Sequence, residues 1–169
     1  QYVSACAYII DYCQLLFSDH LPGDYGTQGK WVKGKCENEF KYVCSIRSDS
    51  FVKECDNTFS KVGDYCYKFE SDQRPWTESL NICKFEYGAH LLTFFDEYQE
   101  AEFHEWYKGK TDGRTWLGLT DRNDNKEFRW EATNSAPSYQ NWGFGEPANA
   151  ENAGLRCVTI GPDDGQTEL

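Results

Sequence analysis

Eight cysteines, no two of them in Cys-x-x-Cys spacing, constrain this chain more than any other feature of its sequence. The even count favours four disulfides, and the missing Cys-x-x-Cys pairs argue against a zinc ribbon or a thioredoxin-type redox site. Disulfides persist in oxidising compartments, so the chain is expected to be secreted or to form the extracellular part of a membrane protein. At 169 residues it has room for one domain of ordinary size with some to spare, and not for two large ones. An aromatic share of 17% gives that domain large rings to bury.

Charge and motif content narrow the functional classes. A net charge of -11 repels phosphate backbones and anionic lipid, which argues against nucleic acid and membrane surfaces as partners. No run of ~18 apolar residues is present, so no membrane insertion is expected within this chain, and no basic-then-apolar leader opens it. A sequence that opens at Gln1 and contains no methionine reads as a mature product or a fragment. His20, His90 and His104 are scattered, and neither a Gly-x-Ser-x-Gly elbow nor a His-Glu-x-x-His pair occurs. Asp163 and Asp164 read as solvated turn residues rather than a glycosidase dyad, so no enzyme is expected.

Along the chain, residues 1–47 cluster apolar side chains at Ala5-Cys6-Ala7-Tyr8-Ile9-Ile10 and at Phe40-Lys41-Tyr42-Val43-Cys44, which reads as strands around a Gly-rich loop from Gly23 to Gly29. Residues 48–54 are polar and charged and form a connector. Gly63 to Phe69 alternates large rings with polar residues and reads as a strand. Pro75 suits a first helical position, and Trp76, Leu80 and Cys83 then share one buried face until Gly88 ends the helix. Asp96 and Gln99 make a capping-box-like start to a second helix that carries Phe103 and Trp106 and stops at Gly109. Short strands follow at Thr115–Leu119, Glu127–Trp130 and Arg156–Ile160, with a long loop region between them. The sum is α+β: two helices, small antiparallel sheets and long loops.

The ordered landmarks Cys66-Tyr67-Lys68-Phe69, Trp76, Cys83, Gly88-Ala89-His90-Leu91-Leu92, Trp116-Leu117-Gly118-Leu119, Phe128-Arg129-Trp130, Tyr139-Gln140-Asn141-Trp142, Gly145-Glu146-Pro147 and Cys157-Val158-Thr159-Ile160 carry a family resemblance. From about Cys55 onward, residues 55–169 resemble the C-type lectin-like domain. Trp116, Leu117 and Leu119 are then core residues, with Gly118 admitting close backbone approach. Trp106, Trp130 and Trp142 read as core too, although Trp142, beside Gly143-Phe144-Gly145, has the alternative of presenting its ring at the mouth of a site.

The family's closing segment, a tryptophan before a metal-binding Asn-Asp pair and then two cysteines, would begin just beyond Leu169. Gly29-Lys30-Trp31-Val32-Lys33-Gly34-Lys35-Cys36 with Phe40 to Cys44 resembles that segment, so residues 1–47 read as the end of one such domain. Two outcomes stay open. In a cut piece of a tandem protein, Cys6 pairs with Cys36, and the partners of Cys44, Cys83 and Cys157 lie outside the chain. In a circular permutant, residues 1–47 complete the second part, giving Cys36–Cys157, Cys44–Cys83 and Cys55–Cys66, with Cys6 and Cys13 remaining. Geometry permits the permutant, because the family's first and last strands lie side by side and the ten residues after Cys44 can reach about 30 Å when extended.

In sugar-binding members of this family a Glu-Pro-Asn or Gln-Pro-Asp loop, a later acid and the Asn-Asp pair give oxygen ligands to one calcium, which the sugar's hydroxyls complete. The resemblance implies Glu146, Asn149, Glu151 and Asn152 as ligand-binding residues together with Trp142. Glu146, Asn149 and Glu151 are the implied calcium ligands, and Asp121 and Asn125 an accessory calcium pair. A cis Glu146-Pro147 bond would set the loop, and Glu-Pro leans toward the mannose and glucose class. The chain departs from the pattern at Ala148, at the Leu155-Arg156 pair and at Val32-Lys33, none of which offers calcium a side-chain oxygen. Two functions follow: extracellular carbohydrate recognition with calcium, or calcium-independent binding of an extracellular protein.

Overall fold

The computed structural model describes residues 29–48, 55–121, 127–147 and 155–161. Within them the order is β1 (Lys30–Lys35), β2 (Phe40–Arg47), β3 (Ser60–Val62), β4 (Tyr65–Arg74), α1 (Trp76–Asn81), a π-helical continuation (Ile82–Glu86), β5 (His90–Leu91), α2 (Glu97–Tyr107), β6 (Thr115–Thr120), β7 (Arg129–Trp130) and β8 (Leu155–Gly161). Two helices with a mixed sheet and three disulfides are the α+β arrangement of the C-type lectin-like fold.

The strands join in one sheet of order β1-β8-β6-β2-β4-β3, with β5 paired to β2 and β7 to β6. Every pairing is antiparallel except β2 with β6, where Lys41 faces Thr115 and Tyr42 faces Trp116 in parallel. That short parallel contact unites what the sequence presents as separate small sheets. β6 lies in the middle, and all six of its residues, Thr-Trp-Leu-Gly-Leu-Thr, are buried. Its apolar residues are therefore not half-faced to water, and a near-continuous apolar run is the pattern such a strand needs. A Cβ on Gly118 would stand 2.8 Å from the Leu91 carbonyl oxygen, so glycine is required there for strand contact.

Buried tryptophans must place an indole N–H as well as a ring. Trp76 Nε1 donates to the Leu117 carbonyl at 2.7 Å, and Trp116 Nε1 donates to the Arg74 carbonyl at 2.8 Å. Both rings are fully buried, Trp116 edge-on to Phe40. Cys83, in the same buried cluster as both rings, closes onto Cys44 of β2.

Helix α1 begins at Trp76, one residue later than the sequence implies, because Pro75 is extended (ψ 151) and only contributes the carbonyl that accepts from Ser79 N at 3.0 Å. Gly88 follows the π turn with φ +60, as a helix-terminating glycine does. At α2 the Asp96 side chain accepts from Gln99 N at 2.9 Å, while the Gln99 side chain accepts from Phe95 N rather than from the cap residue itself. A cap of this kind stabilises a helix by about 1 kcal/mol. The strand expected from Gly63 starts instead at Tyr65, since Gly63 (φ +54) and Asp64 form the turn between β3 and β4, and it runs on to Arg74 along β2.

Residues 30–47 lie inside this sheet. β1 pairs with β8 over Lys30↔Gly161 to Lys35↔Leu155, and β2 sits between β6 and β4. The bridges are Cys36–Cys157, Cys44–Cys83 and Cys55–Cys66. Cys6 and Cys13 fall outside the described residues. Closure over the connector is geometrically easy: Ser48 N donates to the Asp64 carbonyl at 2.7 Å and Cys55 is bonded to Cys66, so the connector's two ends are anchored only two residues apart on one hairpin.

Candidate functional site

The loop from Ser138 to Pro147 crosses from the start of α2 to β1, and backbone pairing with Trp31 fixes it. Trp31 N donates to the Asn141 carbonyl at 2.8 Å, Gly143 N donates to the Trp31 carbonyl at 2.9 Å, and Trp31 and Trp142 form an isolated parallel bridge. At its start, Ser138 Oγ donates to the Phe95 carbonyl at 3.3 Å. At its far end, Glu146 N donates to the Gly143 carbonyl at 3.0 Å, with Gly145 at φ +77 making the bend.

Aromatic packing backs this frame. Trp31, fully buried, meets Tyr139 at 5.8 Å, Trp142 at 5.7 Å and Trp130 at 5.5 Å, all edge-on. Trp142 is half-buried, pressed on Phe128 at 5.1 Å, and its Nε1 donates to Gln140 at 2.9 Å. Trp142 is thus mostly scaffold. The exposed ring of this loop is Phe144, whose side chain stands at 101% of its reference area. Its flanking glycines were visible in the sequence, and a large apolar residue between two glycines is the signal that could have singled it out.

Below the loop stands a carboxylate that no local motif marks. Glu100 of α2 is 2% exposed. Its Oε1 accepts from Trp31 Nε1 at 2.9 Å and its Oε2 from Asn141 Nδ2 at 3.3 Å. The Tyr139 hydroxyl also bonds to it, and burial followed by that bond and the Glu100 charge drives the Tyr139 hydroxyl far above its ordinary range. Asn141 is held on its other sides by Lys30 Nζ at 2.8 Å and by donation to the Gly29 carbonyl at 3.1 Å.

Of the residues implied as ligands, the described structure places Trp142 and Glu146 on this one loop, and the Glu146-Pro147 bond is cis. Asp121 stands elsewhere, at the end of β6, with its backbone N donating to the Arg156 carbonyl at 2.9 Å. Asn125, Asn149, Glu151 and Asn152 lie outside the described residues. Among the described residues no three His, Cys, Asp or Glu side chains cluster.

Calcium fits this arrangement unevenly. The buried Oδ1 of Asp121 has no hydrogen-bond partner among the described residues, which suits a hard cation as its missing neighbour. The β1 side does not fit. Val32 is 5% exposed and pairs with Thr159, and Lys33 is 7% exposed and pairs with Val158, so the two positions that resemble the Asn-Asp pair are packed into the sheet without an oxygen donor.

A family profile described as the lectin C-type domain matches residues 72–168, more than half of the chain. The chain belongs to the C-type lectin domain family. A C-type lectin mannose-binding isoform of Oxyuranus scutellatus is 30% identical over 101 residues, 58% of this chain and 63% of that protein. The C-type mannose receptor 2 of Mus musculus is 27% identical over 150 residues, 81% of this chain and 10% of the receptor. The human secretory phospholipase A2 receptor is 23% identical over 176 residues, 96% of this chain and 11% of the receptor. The chain therefore spans less than two thirds of the first relative and about a tenth of each receptor. No solved structure matches. As a C-type lectin domain the chain is built for lectin-like recognition, and its three disulfides suit an oxidising compartment. Among the described residues no helix is long and apolar enough to cross a membrane.

Proposed function

We propose that this C-type lectin domain is a non-catalytic extracellular recognition module, that it engages a protein surface through the loop carrying Phe144 and Glu146, and that no calcium ion joins this loop to β1. The observation that carries this is Phe144: a fully exposed phenylalanine on a loop whose neighbours on both sides are bonded down. Exposed aromatic rings on rigid supports are favoured interface anchors, because they bury large area at small entropic cost. Val32 and Lys33 support the calcium-independent form. Under the same reading residues 1–47 complete the module that contains residues 55–169 as a permutant, with 48–54 as connector.

A second reading has its own support in the orphaned Asp121 oxygen and in the Glu146-Pro147 pair. It is calcium-dependent carbohydrate binding in the mannose and glucose class, with Glu146, Asn149, Glu151 and Asn152 about the ligand and Asp121 and Asn125 at an accessory ion. The two mannose-named relatives point the same way. Calcium titrated into a chelated sample, with heat and melting temperature recorded for the natural chain and for Glu146→Gln, separates them. We expect any calcium response to be the same in both. A response that Glu146→Gln abolishes would replace the first reading by the second.

A further inference from the structure

Glu100 sits where a buried charge needs a reason. Taking a carboxylate out of water is costly unless its oxygens are matched by donors. Three groups converge on it from two other parts of the chain: Trp31 Nε1 from β1, and Asn141 Nδ2 and the Tyr139 hydroxyl from the site loop. Indole and amide N–H groups only donate, so both carboxylate oxygens must accept. The other titratable and charged groups around it are His104 one turn along α2, with Nε2 3.6 Å from Oε1, and Lys30 of β1, which reaches it through Asn141. Asp96 and Glu97, at the start of α2, act on Tyr139.

We propose that Glu100 is the positioning residue of the recognition loop: its buried carboxylate clamps Tyr139 and Asn141 to Trp31 and so fixes where Phe144 and Glu146 stand. This rests on the loop being the recognition site, but the clamp itself exists whether or not a ligand does. Around it the loop's own backbone bonds, Gly143 N to Trp31 and Trp31 N to Asn141, are the reporters.

Amide hydrogen exchange tests this without any ligand. Glu100→Gln keeps the shape but puts an NH2 donor against a donor. After correction for intrinsic rates, exchange at Trp31 and Gly143 should rise at least tenfold, while Leu92 and Gly118, bonded to Val43 and Leu92 in the sheet, change less than twofold. An equal rise at all four amides would make Glu100 a general stabiliser and overturn the proposal. Asn141→Ala supplies a second measurement should that variant fail to fold, since it removes one arm of the clamp and leaves Glu100 in place. Exchange at Trp31 and Gly143 should again rise while Leu92 and Gly118 change less than twofold, and an equal rise at all four would overturn the clamp. Since no ligand enters, failure here leaves the recognition reading standing, and loss of that reading leaves the clamp intact.

Discussion

The sheet interior and the loop from Ser138 to Pro147 lie side by side on Trp31, yet they are held in different ways. Between β2, β6 and β8 the contacts are rings and aliphatic chains: Val43, Leu117, Leu119, Val158 and Ile160 pack with Phe94 and Phe103 in one cluster, and Cys44, Cys83, Trp76 and Trp116 in another. Such contacts are individually weak, numerous and non-directional, and losing one leaves the rest. From Tyr139 to Glu146 the loop adds to its ring contacts with Trp31 and Phe128 a few directional bonds, several of which end on Asn141 or Glu100. The interior is over-determined; the loop has fewer contacts to lose. A single polar substitution can therefore shift the loop while the fold survives, and the fold can be tuned without moving the loop.

The largest test of this contrast lies in the bridges. Cys36 and Cys157 are 121 residues apart in sequence and join β1 to the interior, whereas Cys55 and Cys66 are 11 apart at the edge. In the loop-entropy picture the double variant Cys36→Ala/Cys157→Ala costs about 4–5 kcal/mol and Cys55→Ala/Cys66→Ala about 3 kcal/mol, both read from urea unfolding. The first also frees the strand that carries Trp31, so it should weaken loop and interior together. Mass mapping of the intact chain gives the prior check: a Cys6–Cys36 bridge with Cys157 free would break the comparison at its root, because β1 would then not belong beside β8.

Alkaline pH should act first on the interior. Burial pushes the Tyr107 hydroxyl up to about 12, partly offset by its bond to Thr115, and burial with the nearby Glu70 charge pushes Tyr42 to about 12 as well. Both pack on the interior. A phenol whose folded value exceeds its unfolded value of about 10 holds its proton more tightly in the native state. Its contribution is complete below about pH 10 and disappears as the pH climbs to about 12, on the order of 2 kcal/mol for Tyr107 alone. Tyrosinate absorbance at 295 nm, followed with circular dichroism, should show a late-ionising fraction that appears together with loss of the sheet signal. Full tyrosinate absorbance by pH 11 with the sheet intact would remove this part of the contrast.

Which parts were legible in the sequence follows from the same division. Trp116-Leu117-Gly118-Leu119, the Asp96 cap and the helix-ending Gly88 were readable because each is a local pattern whose physical cause is complete within a few residues. The family landmarks located the Glu146-Pro147 loop for the same reason. Glu100 was not readable as a site residue, since its partners Asn141 and Trp31 are 41 and 69 residues distant. One clue existed: Gln99, Glu100 and Phe103 share the buried face of α2, and a charge on a buried face calls for partners. Cysteine order alone left two pairings open, because what decides between them is the register of β1 against β8, a contact across the whole chain. Trp142 read as core with exposure at a site mouth as its alternative; packing on Trp31 and Phe128 keeps it half-buried, and the exposed ring is Phe144 two residues on, which no local pattern had singled out.

Phe144 gives the smallest expected change in stability and the sharpest test of the contrast. A ring that is fully exposed contributes almost no buried area to the folded state, so Phe144→Ser should alter unfolding free energy by less than about 0.5 kcal/mol. It leaves the bonds at Trp31, Asn141 and Gly143 untouched, so exchange at those amides should also stay as it is. If the loop recognises a protein surface, losing a central aromatic anchor costs about 2 kcal/mol of binding, roughly thirtyfold in affinity. Binding of the natural chain and of Phe144→Ser to an extracellular protein array, with melting temperature recorded in parallel, measures both terms. A variant that binds as well as the natural chain would show that the exposed ring is incidental and shift the site elsewhere on the loop. A variant that melts much earlier would show that Phe144 packs within the fold, and the loop would then resemble the interior it has been set against.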